Sequence, residues 1–330
     1  MMSRRFVVSE SSMTRRDVLR WAGAATVGAA LAGRHVVAEP SQTPHAFRFV
    51  HMADIHVQPE RRAGEGFRAA LKAVHALDPR PDFILTGGDL VMDVAGTGHE
   101  RADMLFDLYS RLCRDSDIPF RQCVGNHDIF GWHSEGRVSP DHPDYGTKMA
   151  CDRLGLEKPT YSFDHRGWHF CVVNDVLPNP GDGQGYHGGI ADEDLDWLDR
   201  DLAAAGNRPK VLCAHIPIIS VVVFRRMDAR DEDHMRIPRH WMSRNAGPIL
   251  KLLNKHRVNL VLTGHQHQNE RILLDGTTHV GQGAVCGAWW KGAHLGNREG
   301  FGILDVHPDG TFEHRYHAYG WQAESPTADG

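Results

Sequence analysis

An excess of positive charge is absent from this sequence. The chain of 330 residues carries 37 lysines and arginines against 42 aspartates and glutamates, which gives a formal net charge of −5. It has no basic block that would neutralise the phosphate backbone of a nucleic acid. We therefore expect no nucleic acid polymer as a partner.

Long hydrophobic runs are also lacking. The apolar stretch from Trp21 to Ala32 has about a dozen residues, mostly alanine and glycine, whereas a transmembrane helix needs about 20. The mature chain is therefore expected to have no stable membrane span.

The residues around this stretch indicate an export signal. Arg15 and Arg16 stand shortly before it, and Val36-Val37-Ala38 follows with small residues at the −3 and −1 positions of a cleavage after Ala38. The pattern resembles a twin-arginine signal. It predicts a signal peptide over residues 1–38, a precursor that binds the twin-arginine export machinery, and a periplasmic or otherwise exported protein. A signal retained as a membrane anchor is the alternative.

Cysteine is present without a recognisable framework. The six cysteines include no C-x-x-C pair, and their spacing supplies no connectivity. Cys171 and Cys213 lie inside apolar runs, where a free thiol behaves as a small hydrophobic side chain. No disulfide is predicted. Histidine, in contrast, is abundant: the chain has 23, and imidazole is the commonest protein ligand of transition metals.

Beyond residue 45, apolar segments alternate with helical patterns, which is typical of layered α/β packing. The predicted strands are Phe47–Ala53, Phe83–Thr86, Phe120–Val124, Trp168–Asn174, Lys210–Ala214 and Asn259–Thr263. The predicted helices lie near 64–77, 100–114, 192–204 and 246–256. After residue 270, short strands and tight turns predict a second, mainly antiparallel sheet. We expect one domain over 45–321 and a disordered polar tail over 322–330.

Polar side chains follow five of the predicted strands. They are Asp54 and His56, Asp89, Asn126-His127-Asp128, His215, and His265 with His267. The carboxyl ends of strands are where open α/β sheets bind ligands. Each group alone could be ordinary turn chemistry. Five such groups in succession favour a shared site.

In chain order, these motifs read D-x-H, G-D, G-N-H-D, a single histidine and G-H-x-H. The set resembles the calcineurin-like metallophosphoesterase superfamily over roughly residues 47–270. The resemblance implies a four-layer αββα sandwich, in which two mixed β-sheets are flanked by helices and a dinuclear metal site lies at the C-terminal ends of the strands. It also implies a metal-dependent hydrolase of phosphate esters.

The resemblance assigns the site residues by motif position. It implies that Asp54, His56 and His267 bind one ion, that Asn126, His215 and His265 bind a second, and that Asp89 bridges both. Imidazole, carboxylate and amide ligands without a thiolate suit two divalent or mixed-valence ions of Mn, Fe or Zn. A metal-bridged hydroxide would attack phosphorus in line. His127 would then donate a proton to the leaving oxygen, and Asp128 would orient the His127 ring.

Two positions of this sequence differ from the motifs of particular branches of the superfamily. Purple acid phosphatases have a tyrosine three residues after the bridging aspartate, where this chain has Met92, and serine/threonine phosphatases have G-N-H-E in place of G-N-H-D. Motif spacing places no pair of arginines that would grip a dianionic monoester, so phosphodiester substrates are favoured. A phosphomonoesterase or a pyrophosphatase on the same site is the alternative. A non-catalytic binding scaffold is a further one, although every ligand position is filled.

Two other stretches stand out. The adjacent Trp289 and Trp290 could stack on a substrate, or one ring could be buried while the other covers loop backbone. The segment 178–190, rich in glycine, proline and aspartate, is predicted to be a loop near the site.

Overall fold

The computed structural model describes residues 47–133, 138–179, 185–226 and 237–324. These residues belong to one compact unit, Pro44–Gly330, and a second unit, Met1–Thr43, lies outside the described residues. The predicted signal peptide and most of the predicted tail therefore lie outside them as well. Within the described ranges, we find no helix that is both long and apolar enough to cross a membrane.

The first sheet has five strands in the order β13-β12-β1-β2-β3. Its members are β1 (Phe47–Met52), β2 (Phe83–Thr86), β3 (Phe120–Arg121), β12 (Gly300–Val306) and β13 (Phe312–Ala318). Strands β1, β2 and β3 are parallel, whereas β12 and β13 pair antiparallel. The three parallel strands therefore end at the same edge of the sheet.

The second sheet has six strands in the order β10-β11-β9-β8-β5-β4. Its members are β4 (Tyr161–His165), β5 (Trp168–Val172), β8 (Lys210–Cys213), β9 (Leu260–Thr263), β10 (Glu270–Leu274) and β11 (Thr277–Gly281). The central pairs β5–β8, β8–β9 and β9–β11 are parallel, and both outer pairs are antiparallel. Both sheets are thus mixed.

The helices cover the outer faces of the sheets. They are α1 (Ala63–His75), α2 (His99–Arg114), α3 (Lys148–Leu154), α4 (Asp192–Ala204) and α5 (Ala246–Lys255). In α1, Phe67, Ala70 and Val74 recur at helical spacing and are buried against the first sheet. Leu198 of α4 and Leu253 of α5 pack on the second sheet. The expected four-layer αββα sandwich is confirmed.

An apolar interlayer holds the two sheets together. Phe49 and Phe83 stack with ring centroids 5.1 Å apart, and Phe170 of the second sheet meets both rings edge-on. Every residue of β1, β8 and β9 is buried, as expected for strands covered on both faces. Burial of this interlayer fixes the distance between the sheets.

Two predictions, a strand end and a loop, differ most from the structure. The third predicted strand ends at Arg121, because the Cys123 N–H is bound by the hydroxyl of Thr86 and not by a strand carbonyl. The predicted loop over 178–190 includes a hairpin of β6 (Val176–Asn179) and β7 (Gly185–Gly188). The hairpin forms despite its glycines because Val176 and Tyr186 are buried together in a small apolar cluster.

Candidate active site

The structure brings all seven predicted metal ligands to one edge of the sandwich. Each follows the C-terminal end of a strand: Asp54 and His56 follow β1, Asp89 follows β2, Asn126 follows β3, His215 follows β8, and His265 and His267 follow β9. The first three of these strands belong to one sheet and the last two to the other. The site is therefore shared between the sheets.

The backbone at these positions is strained. Five of the seven residues have positive φ angles between 46° and 69°, namely Asp54, His56, Asp89, His265 and His267. Residues other than glycine rarely adopt this conformation, which costs about 1–3 kcal/mol at each position. The left-handed turn lets each side chain leave the strand direction and point back over the sheet edge.

Two motif glycines leave room for the ligand side chains. A Cβ atom at Gly264 would lie 2.6 Å from Asp54 Oδ2, and one at Gly88 would lie 2.5 Å from His215 Nδ1. Gly88 also has φ +85°, which suits glycine best. These glycines are thus required by the close approach of the ligands.

The four predicted histidine ligands share one arrangement of their ring nitrogens. In each, one nitrogen faces a backbone carbonyl: His56 Nδ1 lies 3.4 Å from Met92 O, His215 Nδ1 2.8 Å from Gly87 O, His265 Nε2 2.7 Å from His240 O, and His267 Nδ1 2.6 Å from Gly287 O. A carbonyl only accepts, so these nitrogens carry the proton. Wherever such a ring is neutral, its other nitrogen therefore has a free lone pair, as in metal-binding histidines.

The free nitrogens converge in two groups. His56 Nε2 lies 3.2 Å from His267 Nε2, and His265 Nδ1 lies 3.2 Å from His215 Nε2. Two lone pairs at this distance repel each other unless a cation or a proton lies between them. Because all four rings make the same carbonyl contacts, this geometry fits metal ligands.

Asp89 lies between the two groups. Its Oδ2 is 3.5 Å from His56 Nε2 and 3.2 Å from His215 Nε2, as a bridging carboxylate requires. Asn126 Oδ1 is 3.0 Å from His215 Nε2, and Asp54 Oδ1 is 3.5 Å from His267 Nε2. The donors thus lie in two sets on either side of Asp89.

The electrostatics of the site favour positive charge at its centre. Burial lowers the pKa of His56 to about 3 and that of His267 well below its ordinary value. Burial acts in the same direction on His215, but Asp89, Asp54 and Asp175 raise the pKa of this ring to about 10. Burial raises the pKa of Asp54 well above its usual value. A cation bound here would stabilise the ionised carboxylates.

His127 differs from the ligand histidines in exposure. Its side chain is 29% exposed, whereas those of His56, His215 and His267 are at most 3% exposed. Its ring meets that of His56 edge-on, with centroids 4.8 Å apart. His127 thus lies beside the predicted ligands with a face open to solvent.

Asp128 does not make the contact that the sequence predicts. Its Oδ1 accepts the backbone N–H groups of Leu90 and Val91, and its Oδ2 accepts that of Gly125. The expectation that Asp128 orients the His127 ring is corrected, because three buried N–H groups occupy this carboxylate. The carboxylate beside the ring belongs to Asp93, whose Oδ1 lies 3.6 Å from His127 Nδ1.

Sequence reasoning missed two further residues at the site. Asp175 accepts the backbone N–H groups of His215 and Ile216 at 3.1 and 2.8 Å, which fixes the end of β8. Cys286 is buried with its sulfur close to the nitrogens of His56 and His267. The only signal for Asp175 was its place just after a predicted strand, and the predicted donor set contained no sulfur.

One ring of the tryptophan pair is buried, as one of the two interpretations expects, and the other ring lies beside a predicted ligand. Trp290 is 2% exposed, and its Nε1 donates to the carbonyl of His56 at 3.0 Å. Trp289 is partly exposed, and its ring lies 4.6 Å from that of His267. Tyr186 of the β6–β7 hairpin contributes a second aromatic ring, 6.5 Å from that of His265. Trp290 therefore stabilises the backbone at His56, and Trp289 borders the site.

Comparison with known proteins identifies a family for this chain. The family model for calcineurin-like phosphoesterases matches residues 47–269. A 3',5'-cyclic-nucleotide phosphodiesterase (alr5338) of Nostoc sp. is 25% identical over 276 residues, which are 79% of this chain and 88% of that protein. The serine/threonine-protein phosphatase CPPED1 of Bos taurus is 27% identical over 210 residues, 61% of this chain and 58% of that protein.

Solved structures agree at the level of the fold. The crystal structure of a dimetal phosphatase from Danio rerio has a TM-score of 0.58 at 14% identity, and the match covers 84% of this chain and 97% of that one. The chain belongs to the calcineurin-like phosphoesterase family, and it is a phosphoric ester hydrolase.

Proposed function

We propose that this protein is a phosphodiesterase that works with two metal ions held at the shared edge of the sheets. Asp54, His56 and His267 would hold one ion, and Asn126, His215 and His265 would hold the other. Asp89 would bridge them. The observation that carries this proposal is the convergence of four imidazole lone pairs, each fixed by a carbonyl contact on the far side of its ring.

The donor set suits Mn, Fe or Zn ions. Bound there, such ions would activate a water molecule as the nucleophile and stabilise the charge on the phosphoryl oxygens. The chain's own residues hold the geometry: Asp128 and Asp175 fasten the loops that carry Asn126 and His215. His127, with its exposed face, donates a proton to the leaving oxygen. Asp93 Oδ1, 3.6 Å from His127 Nδ1, is the carboxylate oxygen beside that ring.

The name of one relative supports diesters over monoesters, and a tryptophan beside the site supports a substrate with an aromatic group. The Nostoc relative, which this chain covers to 88% of its length, is named as a cyclic-nucleotide phosphodiesterase. Trp289, which borders the site, provides an aromatic surface on which a base or another planar leaving group could stack, worth about 1–3 kcal/mol. Monoester hydrolysis on the same site is the second candidate, favoured by the similarity to CPPED1.

A matched substrate panel tests the proposal. Specificity constants are measured for nitrophenyl monoesters and diesters and for 2',3'- and 3',5'-cyclic nucleotides, with elemental analysis of the same protein. We expect two ions per chain and higher constants for diesters. One ion or none in active protein would contradict the two-ion site, and a preference for monoesters would overturn the diester assignment alone. Glu157→Ala, which removes an exposed carboxylate, is the control for preparation effects.

We also propose that the protein is exported. The support is the sequence alone: Arg15 and Arg16 before a short apolar stretch. Replacing both arginines by lysine should retain the precursor in the cytoplasm, as followed by cell fractionation. Unchanged export would show that this arginine pair is not the signal.

A further inference from the structure

Cys286 lies where it would add a fourth side-chain type, beside aspartate, histidine and asparagine, to the metal site. Its sulfur and one ring nitrogen each of His56 and His267 all lie within 4.8 Å of one another, and all three residues are buried. A tetrahedral ion with one sulfur and two nitrogen ligands, at about 2.3 and 2.0–2.1 Å, spans a set of this size.

Backbone pairing fixes the position of this residue. The segment that follows β11 runs parallel to the end of β1, with a bridge between Ala53 and Ala284. Val285 N donates to Ala53 O at 3.0 Å, and Cys286 N donates to Asp54 O at 3.2 Å. These contacts hold the Cys286 backbone beside Asp54, where the sulfur lies close to the ring nitrogens of His56 and His267.

The next residue ties this segment to a second predicted ligand. Gly287 O accepts from His267 Nδ1 at 2.6 Å, and Gly287 has φ +57°, a left-handed turn. The contact of Cys286 Sγ itself is with the same carbonyl, at 3.5 Å. This contact is long, so the sulfur has no strong polar partner, although it lies among imidazoles and carboxylates.

Cys171 provides the contrast. It is also buried and lies with a histidine and an aspartate, His169 and Asp201. There, however, Cys171 Sγ donates to Asp201 Oδ2 at 3.3 Å, and both His169 nitrogens bind carboxylates at 2.7 and 2.8 Å. Every polar atom in that cluster is thus matched by hydrogen bonds. The Cys286 cluster lacks such a matched set of hydrogen-bond donors and acceptors.

We propose that Cys286 supplies a thiolate ligand to the ion held by His56 and His267. The inference rests on the proposed function. On binding, the thiol proton passes to solvent and a sulfur–metal bond forms, with no change of oxidation state. Thiolate is a softer ligand than carboxylate or imidazole, so this position would prefer zinc or ferrous iron to manganese.

Cobalt substitution of the full chain tests the proposal. Cobalt(II) is loaded into the wild type, Cys286→Ser and Cys171→Ser, and bound cobalt is measured by elemental analysis beside the absorption spectrum. We expect a thiolate-to-cobalt charge-transfer band in the near ultraviolet in the wild type and in Cys171→Ser, and its loss in Cys286→Ser. Cobalt bound without this band, or a band that persists in Cys286→Ser, would overturn the thiolate assignment and leave the proposed function intact.

A competition measurement separates ligation from folding. In Cys286→Ser, the zinc dissociation constant should rise by at least the roughly 10- to 100-fold seen when outer partners of a metal site are removed, while the manganese constant changes less. An equal change for both metals would indicate a general loss of structure and contradict the proposal. Failure of the wild type to bind cobalt, zinc or manganese would overturn both this inference and the proposed function.

Discussion

Two clusters in this molecule have similar composition and opposite hydrogen bonding. One is the edge cluster around Asp89. The other lies under α4, on the outer face of the second sheet, where His169 sits between Asp164 and Asp201. In the outer cluster, donors meet acceptors at every contact. In the edge cluster, the ring nitrogens that point away from their carbonyl partners face each other at 3.2 Å.

This difference teaches that composition alone does not identify a metal site. Histidine, cysteine and aspartate occur within ligand distance in both places. Buried polar groups are normally paired, and the outer cluster satisfies this rule by itself. The edge cluster satisfies it when a metal ion or an added proton lies between the facing nitrogens. The pairing of hydrogen-bond donors with acceptors, and not the residue types, distinguishes the structural network from the ligand site.

The largest effect should come from breaking the edge cluster at its centre. Asp89→Ala removes the carboxylate shared by the two donor sets, so both ions should be lost. Activity should fall by roughly 1,000-fold or more, because the ions supply several kcal/mol of transition-state stabilisation. Elemental analysis and the specificity constant measure the two effects.

The matched change in the outer cluster is Asp201→Asn. It removes a carboxylate from a histidine, a cysteine and Ser162, and it should leave the ion content and the specificity constant unchanged while lowering the melting temperature. Loss of an ion in Asp201→Asn, or two retained ions in Asp89→Ala, would erase the distinction between the clusters.

A second change sharpens the roles within the edge cluster. His127→Ala should retain both ions, because His127 is more exposed than the ligand histidines. Loss of a general acid typically costs about 100- to 10,000-fold, and alkyl esters should show this loss. Nitrophenyl esters should slow much less, since nitrophenolate leaves without protonation.

Leaving groups of graded basicity, tested with the wild type and His127→Ala, provide the measurement. Equal losses on all esters with ions retained would contradict proton donation and leave only support of the phosphoryl oxygens. A loss of ions would instead place His127 among the ligands.

The smallest effect concerns buried histidines away from both clusters. Burial lowers the pKa of His51 to about 3 and that of His279 to about 4. Because these folded-state values lie below the unfolded value near 6.5, the stability that these rings contribute is complete above pH 6.5. It is lost as the pH falls toward 3, at up to about 1.4 kcal/mol per pH unit for each ring.

Denaturant unfolding between pH 7 and 4 measures this dependence. His51→Leu should reduce the slope of the unfolding free energy against pH. An unchanged slope in His51→Leu would show that His51 is not held neutral in the folded protein.

The sequence predicted most of the fold because the spacing of its apolar residues agrees with the positions of the helices and strands. Helix α4 begins and ends at 192 and 204, as predicted, and the other predicted helices differ at their ends by one or two residues. The metal-ligand motifs were accessible for a similar reason: four of the five follow a buried strand within three residues, and the parallel order of strands brings all five together.

The rest depended on contacts that no local pattern encodes. Cys286 reaches the site only through a parallel pairing with β1, some 230 residues earlier in the chain. The role of Asp175 depends on where the N–H groups of His215 and Ile216 point. Asp128 was assigned to its sequence neighbour His127, but buried backbone donors take precedence, because leaving them unpaired costs about 1–3 kcal/mol each.

Because the ligands are divided between two sheets, metal affinity should depend on the apolar interlayer that sets the distance between the sheets. Each proposed ion would draw donors from both sheets, so its coordination distances depend on how far apart the phenylalanine rings of Phe49, Phe83 and Phe170 hold them. Metal sites tolerate errors of about 0.2 Å in these distances. A smaller side chain in the interlayer, far from any ligand, would therefore weaken ion binding, and the ions in turn would oppose separation of the sheets.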